Sequence, residues 1–178
     1  MRSLEKEGFQ VVRIGTRGGV LNLAQLEAAL DDRVILVSMM MVNNETGAHF
    51  DVAKVFAAAK AKDSRTVTHC DAVQGFLKVP FTPASIHADL VTVSAHKIHG
   101  PKGVGALYIH PDIIKTKRIT AFLTGGGQES GLRSGTEATA QIAAFAVAAR
   151  EGKAHLKENL AVLAELNAYA RQELEEKV

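Results

Sequence analysis

Two residues of this 178-residue chain, Lys97 and Asp71, form a pair able to do covalent chemistry on an aldehyde. A lysine partly withdrawn from water at a strand end can lose its proton and form a Schiff base. A carboxylate held against a pyridine nitrogen keeps that nitrogen protonated and makes the ring an electron sink. Those are the two protein groups on which a pyridoxal phosphate site depends most. Ser94, His96 and a glycine-rich turn offer hydrogen-bond donors to a phosphate. Each residue alone has a plainer reading. A lysine is ordinarily a solvated surface group, and an aspartate after a strand is ordinarily a cap or turn residue. At this level both readings stand.

The elements that must position these groups alternate between strand and helix. β-Branched runs at 33–40, 66–70, 90–94 and 103–109 have strand length. Alanine-rich or amphipathic stretches at 21–30, 52–60, 137–150 and 156–174 have helical spacing, with Asn22 and Asp51 as candidate caps of the first two. This alternation predicts an α/β fold with a mainly parallel sheet flanked by helices. In such sheets ligands lie outside the carboxyl ends of the strands. Three successive strands deliver polar groups there: Asn43 and Asn44, then Asp71 and Gln74, then Ser94, His96 and Lys97. The intervals, 27 residues from Asn44 to Asp71 and 26 from Asp71 to Lys97, each suit one crossover and permit the groups to converge.

Composition narrows the class. Hydrophobic residues make up 47% and charged residues 22%, ordinary values for a globular chain, which excludes disorder and fibrous repeats. The balance of 21 basic and 19 acidic side chains, a net charge of +2, argues against nucleic acid and membrane surfaces as partners. Apolar stretches reach about eight residues, against roughly 20 for a bilayer span. The charged start Arg2-Ser3-Leu4-Glu5-Lys6-Glu7 does not read as a signal peptide. The expectation is a soluble, cytoplasmic domain. Its one cysteine, Cys70, forbids an internal disulfide and a cysteine-rich zinc site. His96 and His99 lack further ligands at matching spacing, so no metal is expected. The run Lys115-Thr116-Lys117-Arg118 reads as a solvated face, and Met39-Met40-Met41 as packing at a strand end. Residues 100–105 follow neither a P-loop nor a dinucleotide fingerprint.

Residues 88–108, centred on Ser94-Ala95-His96-Lys97-Ile98-His99-Gly100-Pro101-Lys102-Gly103, closely resemble the cofactor-lysine segment of the NifS/IscS-type cysteine desulfurases. Those enzymes belong to the class V aminotransferase group of fold type I pyridoxal phosphate enzymes. Three more blocks resemble the same family in the same order: Val42-Asn43-Asn44-Glu45-Thr46-Gly47, His69-Cys70-Asp71-Ala72-Val73-Gln74, and 125–129 with Arg133-Ser134-Gly135-Thr136. The resemblance implies that Lys97 bonds to pyridoxal 5'-phosphate and later moves the substrate α-proton. It implies that Asp71 pairs with the ring nitrogen, Gln74 with the ring hydroxyl oxygen, and Ser94 and His96 with the phosphate. Asn44 would lie near the ring hydroxyl and substrate. Thr136 would reach the phosphate of the neighbouring subunit in a homodimer.

The resemblance is to the middle of the family's chain. Residues 4–11 are similar to a helix-to-strand passage halfway through the large domain. Residues 1–152 would be the central and C-terminal part of that domain, and 153–178 the long helix leading to a small domain. The implied activity is conversion of L-cysteine to L-alanine, with a persulfide passed to a sulfur acceptor or scaffold protein in iron–sulfur cluster assembly. The phosphate-binding turn, the histidine stacked on the ring, the mobile cysteine and the carboxylate-binding arginine of the family are not found in this sequence, so the isolated chain is expected to be inactive. Cys70 precedes Asp71 on an expected buried strand and is no substitute for the mobile thiol. Selenocysteine lyase or another class V enzyme is the alternative within the class. Outside it stands a truncated, non-catalytic cofactor-binding or dimerisation module.

Overall fold

Short β-branched runs separated by helix-forming stretches produce a four-stranded sheet in the computed structural model, which describes residues 2–177. The terminal residues of the two expected segments, Met1 and Val178, lie outside the described residues. The chain begins with helix α1 (Arg2–Lys6), a small antiparallel hairpin of β1 (Thr16–Arg17) and β2 (Val20–Leu21), and helix α2 (Leu23–Ala29). The sheet strands are β3 (Leu36–Met40), β4 (Val67–Asp71), β5 (Leu90–Ser94) and β6 (Gly105–Ile109), in that spatial order. β3, β4 and β5 run parallel, and β6 closes the edge antiparallel to β5. Helix α3 (Val52–Lys62) joins β3 to β4, α4 (Pro111–Lys115) follows β6, and α5 (Thr139–Ala154) and α6 (Leu156–Lys177) complete the chain. The expected α/β class and mainly parallel sheet are therefore present.

Local chemistry accounts for the helix starts. The Asn22 side chain accepts from the Gln25 amide and that of Asp51 from the Lys54 amide, each at 3.0 Å, so both expected caps satisfy an orphan donor. Helix α3 buries Val52, Val55, Phe56 and Ala59 in a core with Cys70 and Val91. Alternation along β4 buries Thr68 and Cys70 and turns Val67, His69 and Asp71 to the other, partly open face.

Several boundaries differ from expectation, most by one to four residues. The strand expected over 33–40 begins at Leu36, because the ladder to β4 starts at the pair Leu36 and Val67; the Val34 carbonyl instead takes the Thr66 hydroxyl at 2.8 Å. The strand expected from 103 begins at Gly105, opposite Ser94, where β5 ends. In the expected helix-to-strand passage at 4–11 the helix forms, but no strand follows, since nothing among the described residues pairs with that stretch. The expected helices at 137–150 and 156–174 are present, the first running Thr139–Ala154 and the second extended to Lys177.

The amino ends of the parallel strands are tied by one carboxylate. Asp89, just before β5, accepts from Lys60 Nζ at 2.5 Å and from the Thr68 backbone amide at 2.9 Å. Lys60 Nζ also donates to the Thr66 carbonyl at 2.8 Å, and the Thr68 hydroxyl donates to the His87 carbonyl at 2.6 Å. The Asp89 side chain is only 14% exposed, so its removal leaves the Thr68 amide without that acceptor and half-buried Lys60 without its counter-charge. Asp89→Ala should lower unfolding free energy by about 3 kcal/mol. Urea denaturation checks this, and a loss below about 1 kcal/mol would remove Asp89 as the tie.

Candidate active site

The carboxyl ends of β3, β4 and β5 stay in register past their ladders. The Met41 amide donates to the Asp71 carbonyl at 2.9 Å, and the Ala72 amide to the Thr92 carbonyl at 3.0 Å. Three strand ends are thus bonded side by side, at the place where open α/β sheets bind ligands. Asp71 closes β4 on the partly open face, and its Oδ1 accepts from the Val73 amide at 3.0 Å, which fixes the carboxylate.

A tight turn carries Gln74. The Gly75 and Phe76 amides donate to the Ala72 carbonyl at 3.0 and 2.7 Å, and the Lys78 and Val79 amides to that of Gly75 at 2.9 and 2.8 Å. This turn presses on the buried Met41, whose Sδ would lie 2.5 Å from a Cβ added at Gly75, so a side chain there would displace it. Helix α5 backs the same turn. Phe76 and Phe145 meet edge to face with ring centres 6.5 Å apart.

The lysine segment leaves β5 abruptly. A single 3₁₀ turn spans Ala95–Lys97, and the Ile98 and Gly100 amides both donate to the Ala95 carbonyl, at 3.0 and 2.9 Å. A Cβ at Gly100 would lie 2.9 Å from both the Ala95 Cβ and its carbonyl oxygen. Only glycine closes the turn at that separation. His99 lies in the left-handed region at φ +66°, a strained conformation beside the lysine. Ala95 is buried while Lys97 is exposed, so the turn is anchored from below and its amine is accessible. Ser94 Oγ and His96 Nδ1 are 2.9 Å apart, which pairs the two groups expected at a phosphate.

The two adjacent asparagines separate by role. Asn43 Oδ1 accepts from the Glu45 and Thr46 amides, both at 2.9 Å, and shapes the loop after β3. Asn44 is exposed on that loop. Thr136 is exposed on the loop before α5, with no hydrogen bond to the Asp71, Gln74 or Lys97 segments among the described residues. Glycine-rich residues ahead of it fold on themselves through Gly135 N–H donating to Gln128 Oε1 at 3.0 Å.

The donor set fits pyridoxal phosphate. A carboxylate suits a ring nitrogen, an amide suits a phenolic oxygen, a hydroxyl–imidazole pair suits a phosphate, and an accessible amine suits an aldehyde. The chain matches the aminotransferase class-V family over residues 1–177. It belongs to that family. The cysteine desulfurase IscS of Klebsiella pneumoniae (strain 342) is 42% identical over 165 residues, covering 91% of this chain and 39% of the relative. That of Neisseria meningitidis serogroup C (strain 053442) is 40% identical over 164 residues, covering 90% of this chain and 39% of the relative. A NifS-like protein structure superposes with a TM-score of 0.92 at 36% identity, covering 98% of this chain and 47% of that one. A NifS-like protein from Rickettsia africae ESF-5 gives 0.83 at 32% identity, covering 92% of this chain and 45% of that one. This class-V chain therefore has the NifS-like fold and spans about 39% of the length of these curated relatives.

One residue beside the candidate site, His69, has no role assigned from the sequence. His69 lies on the same face as Asp71, with Nδ1 2.8 Å from Ser38 Oγ and Nε2 3.3 Å from Thr92 Oγ1, a polar row across three strands. Burial pushes its pKa down against the opposing pull of the Asp71 charge. The period of two along β4 was the available signal, since it places 69 beside 71. Cys70 faces the opposite way, fully buried, and burial aided by the Asp71 charge pushes its thiol up to about 12. A thiol so held is almost wholly un-ionised near neutrality. Cys70 should therefore resist iodoacetamide at pH 8 in the folded protein and react within minutes in denaturant. Peptide mass mapping checks this, and rapid labelling of the native protein would refute the burial.

Proposed function

We propose that this chain is the cofactor-bearing middle of a pyridoxal 5'-phosphate-dependent cysteine desulfurase, with residues 1–152 in its large domain and 153–178 leading toward a small domain. The observation that carries the reading is the convergence of Asp71, the Gln74 turn and the Ser94–Lys97 turn at adjoining strand ends. The similarity to proteins named cysteine desulfurase IscS supports the substrate class, L-cysteine. In this reading the protein works as a homodimer in the cytoplasm and delivers sulfur to an acceptor or scaffold protein for iron–sulfur assembly.

Each residue has a task set by its chemistry. Lys97 Nζ would hold the cofactor through its aldehyde and would take the proton from the substrate α-carbon. Asp71, held by the Val73 amide, would keep a proton on the ring nitrogen. Gln74 would donate to the ring hydroxyl oxygen, with Asn44 near it and the substrate. Ser94 and His96 would hold the phosphate as a pair, and Thr136 would reach the phosphate of the neighbouring subunit. The bound cofactor supplies an electron sink for the α-carbon's electron pair. The sulfur-accepting thiolate belongs to another segment of the whole protein, because Cys70 is buried and faces away from the site.

Incubation with pyridoxal phosphate, borohydride reduction and peptide mass mapping test the anchor. The label should concentrate on Lys97, and Lys97→Ala should abolish it. Label spread evenly over the lysines, or persisting in Lys97→Ala, would sink the assignment. Asp71→Ala in the complete protein should weaken cofactor retention and lower kcat by at least about 100-fold, the scale of losing a charge partner to the developing negative charge. Turnover within about threefold of wild type would remove Asp71 from the site.

A further inference from the structure

Lys78 is a lysine that the site described above does not use. We infer that it is a positioning residue, a strap that joins the turn carrying Gln74 to the turn carrying Lys97. Its Nζ donates to the Lys97 main-chain carbonyl at 3.2 Å and to that of Gln74 at 3.4 Å. These two carbonyls belong to segments on neighbouring strands, 23 residues apart in the chain, and Lys78 Nζ bonds to both. The inference rests on the proposed reading of Lys97 as the cofactor lysine.

The backbone presents Lys78 for this role. Its amide is held by the Gly75 carbonyl at 2.9 Å. The residue before it, Leu77, sits in the left-handed region at φ +56°, which is strained for a leucine. Helix α5 backs Leu77: a Cβ added at Gly152 would lie 2.7 Å from Leu77 Cδ1. Phe76 is braced against Phe145 of the same helix. The turn is therefore rigid on its outer side, and an ammonium projecting from it restrains whatever it bonds.

The lysine turn needs such a restraint. It is closed by two amides sharing the Ala95 carbonyl, and it is followed by the strained His99. Lys78 bonds the last carbonyl of that turn with a charged donor, the stronger kind of hydrogen bond. Its own pKa is lowered, first by partial withdrawal from water and then by repulsion from Lys97, which agrees with an ammonium kept near the Lys97 side chain. Lysine at the fourth position after Gln74 otherwise reads as an ordinary solvated residue, so nothing in the pattern marks it.

The test uses the complete protein carrying this sequence, with Lys78→Met and Lys78→Arg. Two quantities are read: the borohydride-trapped pyridoxal phosphate label on Lys97, and amide hydrogen exchange at Ile98 and Gly100. Lys78→Met should lower the label about fivefold and speed exchange at those two amides by a similar factor, while core amides of β4 and the melting temperature stay close to wild type. Lys78→Arg, which keeps a charged donor, should restore both. Wild-type label and wild-type exchange in Lys78→Met would overturn the strap, as would equal acceleration across the whole sheet. If Lys78→Met fails to fold, Lys78→Gln carries the same comparison. Absence of label on Lys97 in the wild type would overturn the cofactor reading instead, and the exchange data would still decide whether Lys78 restrains the turn.

Discussion

The site depends on the parallel registration of β3, β4 and β5 at their carboxyl ends. Neighbouring strands lie about 4.8 Å apart, so groups leaving adjacent strands are held within one small-molecule width without help from side chains. Here the ladder bonds run one residue past the strands, from Met41 to the Asp71 carbonyl and from Ala72 to that of Thr92. A slip of one residue on β4 would turn Asp71 into the core and bring Cys70 to the open face. The burial of Cys70 and Thr68 on one side is therefore what aims Asp71 to the other.

That register is pinned from the opposite end. Asp89 and Lys60 collect the Thr66 carbonyl and the Thr68 amide into one network at the amino ends, with Asp89 immediately before β5. The chemistry and the anchoring thus occupy opposite ends of the same strands. Asp89, Lys60 and Thr68 at the anchored end bond to one another, whereas Lys97 and Asn44 at the other end stand exposed. The division lets the sheet be anchored without engaging the polar groups at its carboxyl ends.

Two close approaches convert strand ends into a site. Gly75 lets the Gln74 turn lie against Met41, and Gly100 lets the lysine turn close over Ala95. Helix α5, distant in sequence, backs the first of these turns through Phe145 and Gly152. The long-range packing of one helix therefore holds the turn from which Gln74 and Lys78 project.

Much of this was legible in the chain itself. Helix caps at Asn22 and Asp51, the strand runs expected to end at Cys70 and Ser94, and the 26- to 27-residue intervals follow from local propensity and crossover length, which depend on near neighbours alone. The lysine segment and its family were legible for the same reason, since its residues are contiguous. Other features had no local signal. The start of β3 at Leu36 was decided by where β4 begins to pair, and the lack of a strand over residues 8–11 by the lack of a partner among the described residues. The division between Asn43 and Asn44 was decided by which side chain the loop turned onto its own amides. Lys78 beside Lys97, and His69 between Ser38 and Thr92, arise from contacts between residues 19 to 31 positions apart. Propensity sees neighbours along the chain, and these positions were set by neighbours across the sheet.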